Sequence, residues 1–323
     1  MISDRKIDVA ALGELLIDFT VNGITEQGNK LFEANPGGAP CNVLSMLHNL
    51  GKKTSFIGKV GNDQFGFLLK KTLEDIGIGT ENLIIDNEIN TTLAFVHTAP
   101  DGDRSFSFYR KPGADMMLNE SEVNEEALKQ AKIFHFGSLS MTDDGVRKAT
   151  EKAVKIAKDN KLLISFDPNL RPPLWKSLDE AKERILYGVS QCDILKIADE
   201  ELEFITGCKD IEQGVDFIKK NYNVQLILVT RGKLGSKAFY RNIAVEREAF
   251  IQKKTIETTG AGDTFCGCIL NYVLEHGITD LNETKLTEML TFANAASSII
   301  TTRRGAIRSM PSKDEIIKLI SDY

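Results

Sequence analysis

Glu257-Thr258-Thr259-Gly260-Ala261-Gly262-Asp263-Thr264-Phe265 is the stretch on which the reading of this chain turns. Apolar residues recur after it at Phe265, Ile269, Tyr272 and Val273, the spacing of a helix that buries one face. A glycine-rich turn therefore runs straight into an amphipathic helix. The N–H groups of such a turn and the positive end of the helix dipole together favour an anion. Gly260 and Gly262 put no Cβ between the backbone and a phosphate. Asp263 falls in the first turn. A carboxylate there either stabilises the helix N-terminus or takes the proton of an attacking hydroxyl. Spacing alone favours neither reading, but a negative charge beside a phosphate site is electrostatically awkward and points to a chemical role. With an ordinary pKa of about 3.9 it is ionised at neutral pH. That suits phosphoryl transfer, where positioning matters more than base strength.

Two other phosphate-binding patterns are excluded. The chain has no G-x-x-x-x-G-K-[ST], so it is not a P-loop protein. Phe265 stands where a dinucleotide fingerprint needs its third glycine, and the turn lies near the C-terminus instead of after the first strand.

Outward from this turn the chain alternates. Short apolar or β-branched runs (Val9–Leu12, Thr54–Ile57, Ile133–Phe136, Leu162–Phe166, Ile194–Ile197, Leu226–Val229) are separated by stretches with helical period at Pro40–Leu50, Asp143–Asn160, Leu178–Gly188 and Ile211–Asn221. Pro40 suits a first turn and Gly51 a stop. Alternating strands and helices predict a mostly parallel sheet covered on both faces. The alternation breaks at Leu15–Val21 and at two strand-like runs, Thr91–Thr98 and Arg104–Arg110, around the turn Pro100-Asp101-Gly102-Asp103. These pieces predict a small extra sheet, either a lid that excludes water or an edge hairpin.

With 323 residues, 42% of them hydrophobic, the chain has ample material for a core. A net charge of -6 provides no global field for nucleic acid or anionic lipid. The five cysteines are odd in number and scattered, which fits a reducing compartment. Cys266 and Cys268 stand two apart and so face different sides of a helix, which argues against a metal pair. The opening MISDRKIDVAALGE lacks the apolar core of a signal peptide. No apolar run reaches the roughly 18 residues that span a bilayer. The expectation is a cytoplasmic protein.

The chain resembles the ribokinase-like (PfkB) carbohydrate kinases over essentially its whole length. Pro36-Gly37-Gly38-Ala39-Pro40-Cys41-Asn42 and Gly58–Gly66 resemble the N-terminal signature of that family, and Thr258–Asp263 its C-terminal one. Within the family it is most similar to fructokinases, through Gly13–Phe19, Phe106–Asp115, Phe166–Trp175 and Lys196–Phe204. The resemblance implies a ribokinase-like three-layer α/β/α sandwich with a mostly parallel central sheet and a small β-sheet lid. It implies one kinase domain over residues 1–323, its lid formed by about 14–36 and 90–115.

It further implies that ATP phosphorylates a primary hydroxyl, with Asp263 as base and the Gly260-Ala261-Gly262 turn as anion hole. Fructose yielding fructose 6-phosphate is the first expectation. A 2-keto-3-deoxygluconate kinase, a ribokinase or a nucleoside kinase is the alternative. A non-catalytic sugar-binding regulator is another, disfavoured by the intact turn and Asp263. By resemblance, Asp18, Gly37, Gly38 and Asn42 would line the sugar site, with Phe108 and Arg110 reaching in from the lid and Asn169 and Arg171 following the strand that ends at Asp167. The nucleotide would lie near Lys196, Glu201, Thr230, Gly232, Gly235 and Asn294. Mg²⁺ would accompany it, although Ala198 stands where many relatives carry the Asn of N-x-x-E. A K⁺ ion would meet Glu257, Thr259, Ile300, Arg303, Gly305 and Ser309, mostly through carbonyls, with Glu257 in place of the usual Asp. Trp175 is read as packing. The expected partner is a small sugar, with no nucleic acid or membrane. A homodimer would form through the lid, whose edges can add a strand.

Overall fold

The computed structural model describes residues 5–98 and 104–323; the turn at 100–103 lies outside them. In chain order the elements are β1 (Ile7–Leu12), β2 (Leu16–Ile24), β3 (Lys30–Gly37), α1 (Ala39–Asn49), β4 (Thr54–Gly61), α2 (Gln64–Ile76), β5 (Gly79–Asp86), β6 (Leu93–Thr98), β7 (Arg104–Tyr109), α3 (Glu125–Leu128) and β8 (Ala131–Gly137). There follow α4 (Asp144–Asp159), β9 (Leu163–Asp167), α5 (Leu178–Gln191), β10 (Ile194–Ala198), α6 (Asp199–Thr206), α7 (Ile211–Asn221), β11 (Leu226–Thr230), β12 (Ser236–Tyr240), β13 (Ile243–Arg247), α8 (Ala261–His276), α9 (Glu283–Ile300) and α10 (Lys313–Asp322).

Among the described residues, nine strands form one sheet in the order β13-β12-β11-β10-β9-β8-β1-β4-β5. It is parallel except at β11-β12 and β12-β13. Its inner strands are predominantly apolar because both faces are covered. Alternate residues go to opposite sides: Val9 and Ala11 of β1, and Leu226 and Leu228 of β11, join the core under α1, α8 and α9. Ala10, Leu12, Ile227 and Val229 join the core under α4, α5, α6 and α7. Trp175 packs in that second core, as read from the sequence.

The helices start where capping chemistry permits. Asp143, Ser177 and Asn282 each accept a backbone N–H at the start of α4, α5 and α9. Pro40 occupies the first turn of α1, and Gly51 follows its end with φ 81°. Gly188 does not end α5, which continues to Gln191. A Cβ at Gly188 would lie 2.3 Å from the Phe166 ring, so this glycine serves close packing and not a stop. Cys266 and Cys268 are both buried, because α8 is sealed on nearly every side. The edge strands β5 and β13 escape the sequence reading because each mixes polar residues into its run.

The smaller sheet has the order β3-β2-β6-β7; β2, β6 and β7 come from the segments that break the alternation, whereas β3 was not read from the pattern. Its two faces differ. Register pairs Phe19 with Phe95 and Val21 with Phe32, while Asp18, Thr20 and Asn35 fall on the other side. Phe19 stacks on Phe95 at 4.9 Å, and Phe95 meets Phe32 and Tyr109 edge-on. The polar face turns toward the carboxyl ends of β1, β9 and β10, where open α/β sheets hold their ligands.

Candidate active site

Strands β1, β9 and β10, the smaller sheet and the starts of α1 and α8 build a cavity of about 580 Å³. Glu14 arrives just after β1, Asn169 and Arg171 after β9, and Lys196 from the middle of β10; the smaller sheet supplies Asp18 and Phe108. Gly38 and Asn42 come from the start of α1, and Thr258, Thr259, Gly260, Gly262 and Asp263 from the start of α8.

The turn before α8 is left-handed at Gly260, with φ 77°. A Cβ there would lie 2.8 Å from that of Ala306, so glycine answers both conformation and space. Ala261 N–H donates to the Thr258 carbonyl. Those of Gly262 and Asp263 fall where an α-helix supplies no carbonyl partner. Asp263 is 9% exposed and accepts a hydrogen bond from Asn42 Nδ2 at 2.7 Å. Burial, helped by the charge of Asp167, pushes its pKa up to about 6, against the pull of Asn42, Lys196 and Arg171. The other amide atom of Asn42, Oδ1, is buried with no partner. An orphaned acceptor beside a carboxylate, on the wall of a cavity, is what a bound hydroxyl would satisfy.

Lys196 pairs with Asp167 at 3.0 Å. Burial opposes its charge, but Asp167 and Glu201 outweigh burial and hold the ammonium above its ordinary pKa. A Cβ on Gly262 would sit 2.9 Å from Lys196 Nζ, so the ammonium lies against the helix start. Burial likewise raises Asp18 to about 7, with Arg171 opposing and Glu257 and Asp263 adding to the rise. The cavity thus gathers carboxyls and two cations around one point.

Several expected residues stand behind this wall. Gly37 is one layer back, where a Cβ would strike Asp18 Oδ2 at 2.3 Å. Gly38, at φ 131°, makes room for the Glu14 carbonyl. Arg110, which the resemblance would bring to the sugar, is not among the residues that line the cavity. It is 4% exposed, bonds Asp115 through Nε at 2.7 Å, and donates to Thr142 Oγ1 and the Leu139 carbonyl. An arginine at a strand end finds its counter-charge five residues on, because Gly113 and Ala114 turn the chain back. Glu201 accepts from Leu170 N–H at 2.7 Å and Ala198 N–H at 2.9 Å, so it orders the Asn169–Arg171 loop from behind. Glu200 lines the cavity in its stead.

Thr230, Gly232 and Gly235 flank the loop after β11, beside a second cavity of about 370 Å³ lined by Arg247, Glu248, Phe250, Thr291 and Tyr323. A Cβ on Gly235 would meet the Arg247 carbonyl at 2.1 Å. Asn294 accepts from Ser236 Oγ and donates to the Arg247 and Glu248 carbonyls, so both residues shape one edge of that cavity. The residues named for potassium gather in one place, but three of their oxygens have partners. Glu257 Oε1 accepts Gly305 N–H at 3.0 Å, the Ile300 carbonyl accepts Arg303 N–H, and the Ser309 carbonyl accepts the Arg303 guanidinium at 3.0 Å. Thr259 and Gly305 also line a void of about 10 Å³ with Asp18. Arg304 reaches from this loop to Asn22 and toward Glu33 of the smaller sheet.

The sequence reading passed over Glu14, Leu16, Ala39, Leu139, Glu200 and Thr258 as cavity residues. Glu14 carried a signal, a lone acid between two apolar runs. Leu139 carried none. No helix among the described residues is long and apolar enough to cross a membrane.

A model of the family described as pfkB family carbohydrate kinase matches residues 6–313. Fructokinase-1 of Zea mays is 41% identical over 322 residues, covering 99% of this chain and 99% of that protein. The structure of fructokinase with bound ATP from Xylella fastidiosa superposes with a TM-score of 0.88 at 30% identity, covering 98% of each chain. A double mutant of fructokinase from Vibrio cholerae O395, solved with fructose, ADP and a potassium ion bound, gives a TM-score of 0.88 at 28% identity, covering 98% of this chain and 99% of that one.

Proposed function

The chain belongs to the pfkB family of carbohydrate kinases and is an ATP-dependent sugar kinase of the fructokinase type; from that premise we propose that it transfers the γ-phosphoryl of ATP to the 6-hydroxyl of D-fructose. The observation that carries the proposal is the Asp263–Asn42 pair, which joins the first turn of α8 to that of α1 on the wall of the 580 Å³ cavity. In this reading Asp263 orients the hydroxyl and accepts its proton, and Asn42 Oδ1 takes up the hydrogen bond it now lacks. The first-turn N–H groups of Gly262 and Asp263, with Lys196 held by Asp167, receive the charge that spreads over the phosphoryl oxygens. Attack is direct, with no phosphoenzyme, and the smaller sheet acts as a lid that keeps water from competing.

The donor set fits a Mg²⁺ carried mainly by nucleotide phosphates, since Glu201 and Asp167 are committed elsewhere and Glu200 lines the cavity. The metal would neutralise phosphate charge. Potassium fits less well, because Arg303 already supplies a cation to the Ser309 carbonyl. An acid sugar such as 2-keto-3-deoxygluconate is the weaker substrate reading. Arg110, which could have paired with its carboxylate, is consumed by Asp115, and the cavity adds Glu14 and Asp18.

ADP release measured across fructose, ribose, 2-keto-3-deoxygluconate, a nucleoside and no sugar tests the assignment. Fructose is expected to give the highest kcat/KM and a 6-phosphate product, with turnover changing less than about 3-fold when KCl is replaced by choline chloride. ADP release independent of sugar would sink the kinase chemistry, and a better substrate than fructose would reassign it.

We also propose that the outer face of the smaller sheet pairs two copies of the chain. Val21 is 42%, Phe32 40% and Tyr109 66% exposed on that face, an apolar surface beside two sheet edges. Light scattering after size exclusion should give a dimer, and Phe32→Lys a monomer. A monomeric parent protein overturns this.

A further inference from the structure

Glu14 has no task in the phosphoryl-transfer reading. Glu14 is 4% exposed and lines the cavity with Asp18, Asn42 and Phe108. Its Oε1 accepts Ala39 N–H at 2.8 Å, at the first residue of α1. After burial, which raises its pKa to about 7, and two backbone hydrogen bonds, the leading charges acting on it are Asp115 and Arg110. Those acting on Asp18 are Arg171, Glu257 and Asp263. The cavity therefore has two carboxylate poles. One surrounds the reacting centre, and the other lies against the buried Arg110–Asp115 pair, whose guanidinium is already taken. A buried carboxyl without a cation of its own is unfavourable unless donors reach it. A neutral polyol brings hydroxyl donors, and a carboxylate accepts from several at once. An anionic sugar meets repulsion at the same place.

We propose that Glu14 is a sugar-contacting residue that selects a neutral ketose by accepting its hydroxyls at the pole away from Asp263. This rests on the kinase reading above. It also gives the Arg110 network a role: that pair holds the lid root and the wall behind Glu14, while Glu14 faces the substrate.

The test is Glu14→Gln, whose amide oxygen still accepts Ala39 N–H while the charge is gone. Expected is a rise in the KM for fructose of about 10- to 100-fold, with kcat and the KM for ATP within about 3-fold. The preference for fructose over 2-keto-3-deoxygluconate should shrink by about 10-fold or more, since the repulsion is removed. Thermal melting should not fall, because a buried charge has been deleted. Should Glu14→Gln fail to fold, Glu14→Asp keeps the charge on a shorter stem and should show the same KM rise. An unchanged fructose KM, or an equal loss for all sugars and ATP together with a lower melting temperature, overturns the proposal and leaves Glu14 a purely structural cap. Parent enzyme that releases ADP without regard to sugar would instead defeat the kinase reading itself, so the two failures are separable.

Discussion

Asp263→Asn lowers kcat by about 100- to 10,000-fold and leaves the KM for ATP within a few-fold of the parent value. The amide occupies the same space and can still accept from Asn42 Nδ2, so the cavity keeps its shape. What is lost is the proton acceptor. The parent enzyme carries a second signature, because burial lifts this carboxyl to about 6. A base must be ionised, so kcat should decline as pH falls through about 6, and the variant should lack that inflection. The stability sign is opposite. A carboxyl raised above its unfolded pKa penalises the folded state wherever it is ionised, above about pH 6, and the penalty fades as pH drops toward 4. Asn carries no such penalty. The variant should therefore resist urea better than the parent at pH 8, by about 1–3 kcal/mol, with the difference closing near pH 4. Turnover close to the parent's, with the inflection retained, would remove Asp263 from the role of base.

Arg110→Ala is expected to destabilise the protein by about 3–5 kcal/mol, because it strands Asp115 in the interior. Both side chains are 2% exposed and lie 2.7 Å apart. Thr92 also donates to Asp115, but one hydroxyl does not replace a guanidinium that also holds Thr142 and Leu139. Urea denaturation gives the measurement. Replacing Arg110 and Asp115 together by Met and Leu should recover most of the loss, since no charge is then left unpaired. If the single variant kept its stability and raised only the fructose KM, Arg110 would be a sugar ligand after all, as the resemblance implies.

How far the site was legible varied with the kind of residue. Asp263, Gly260 and Gly262 could be read because a glycine turn entering an amphipathic helix is a local pattern, and the chain folds there as that pattern demands. Asp18, Asn42 and Arg171 acquired meaning only through the resemblance, and the structure brings all three to one cavity. The pairing of Arg110 with Asp115 could not be read, because nothing local distinguishes an arginine aimed at a ligand from one aimed at an aspartate five residues later. Glu201 accepts from two backbone N–H groups behind the cavity. Its position after β10 was readable, whereas its two backbone donors come from separate segments.

What the amino-acid sequence determined by itself was periodicity: which runs alternate, which repeat every three to four residues, and where glycine, proline and capping side chains stop them. That much follows from backbone geometry and burial, which act over a few residues, and it sufficed for a parallel sheet with an added smaller one. Only the tertiary structure decided which carboxyls share a cavity and which are spent on neighbours. Glu14 and Asp263 lie far apart along the chain, yet the ionisation of each depends on groups brought beside it from other strands and helices. Electrostatics in a desolvated pocket depends on separation in space, and a linear pattern does not record it.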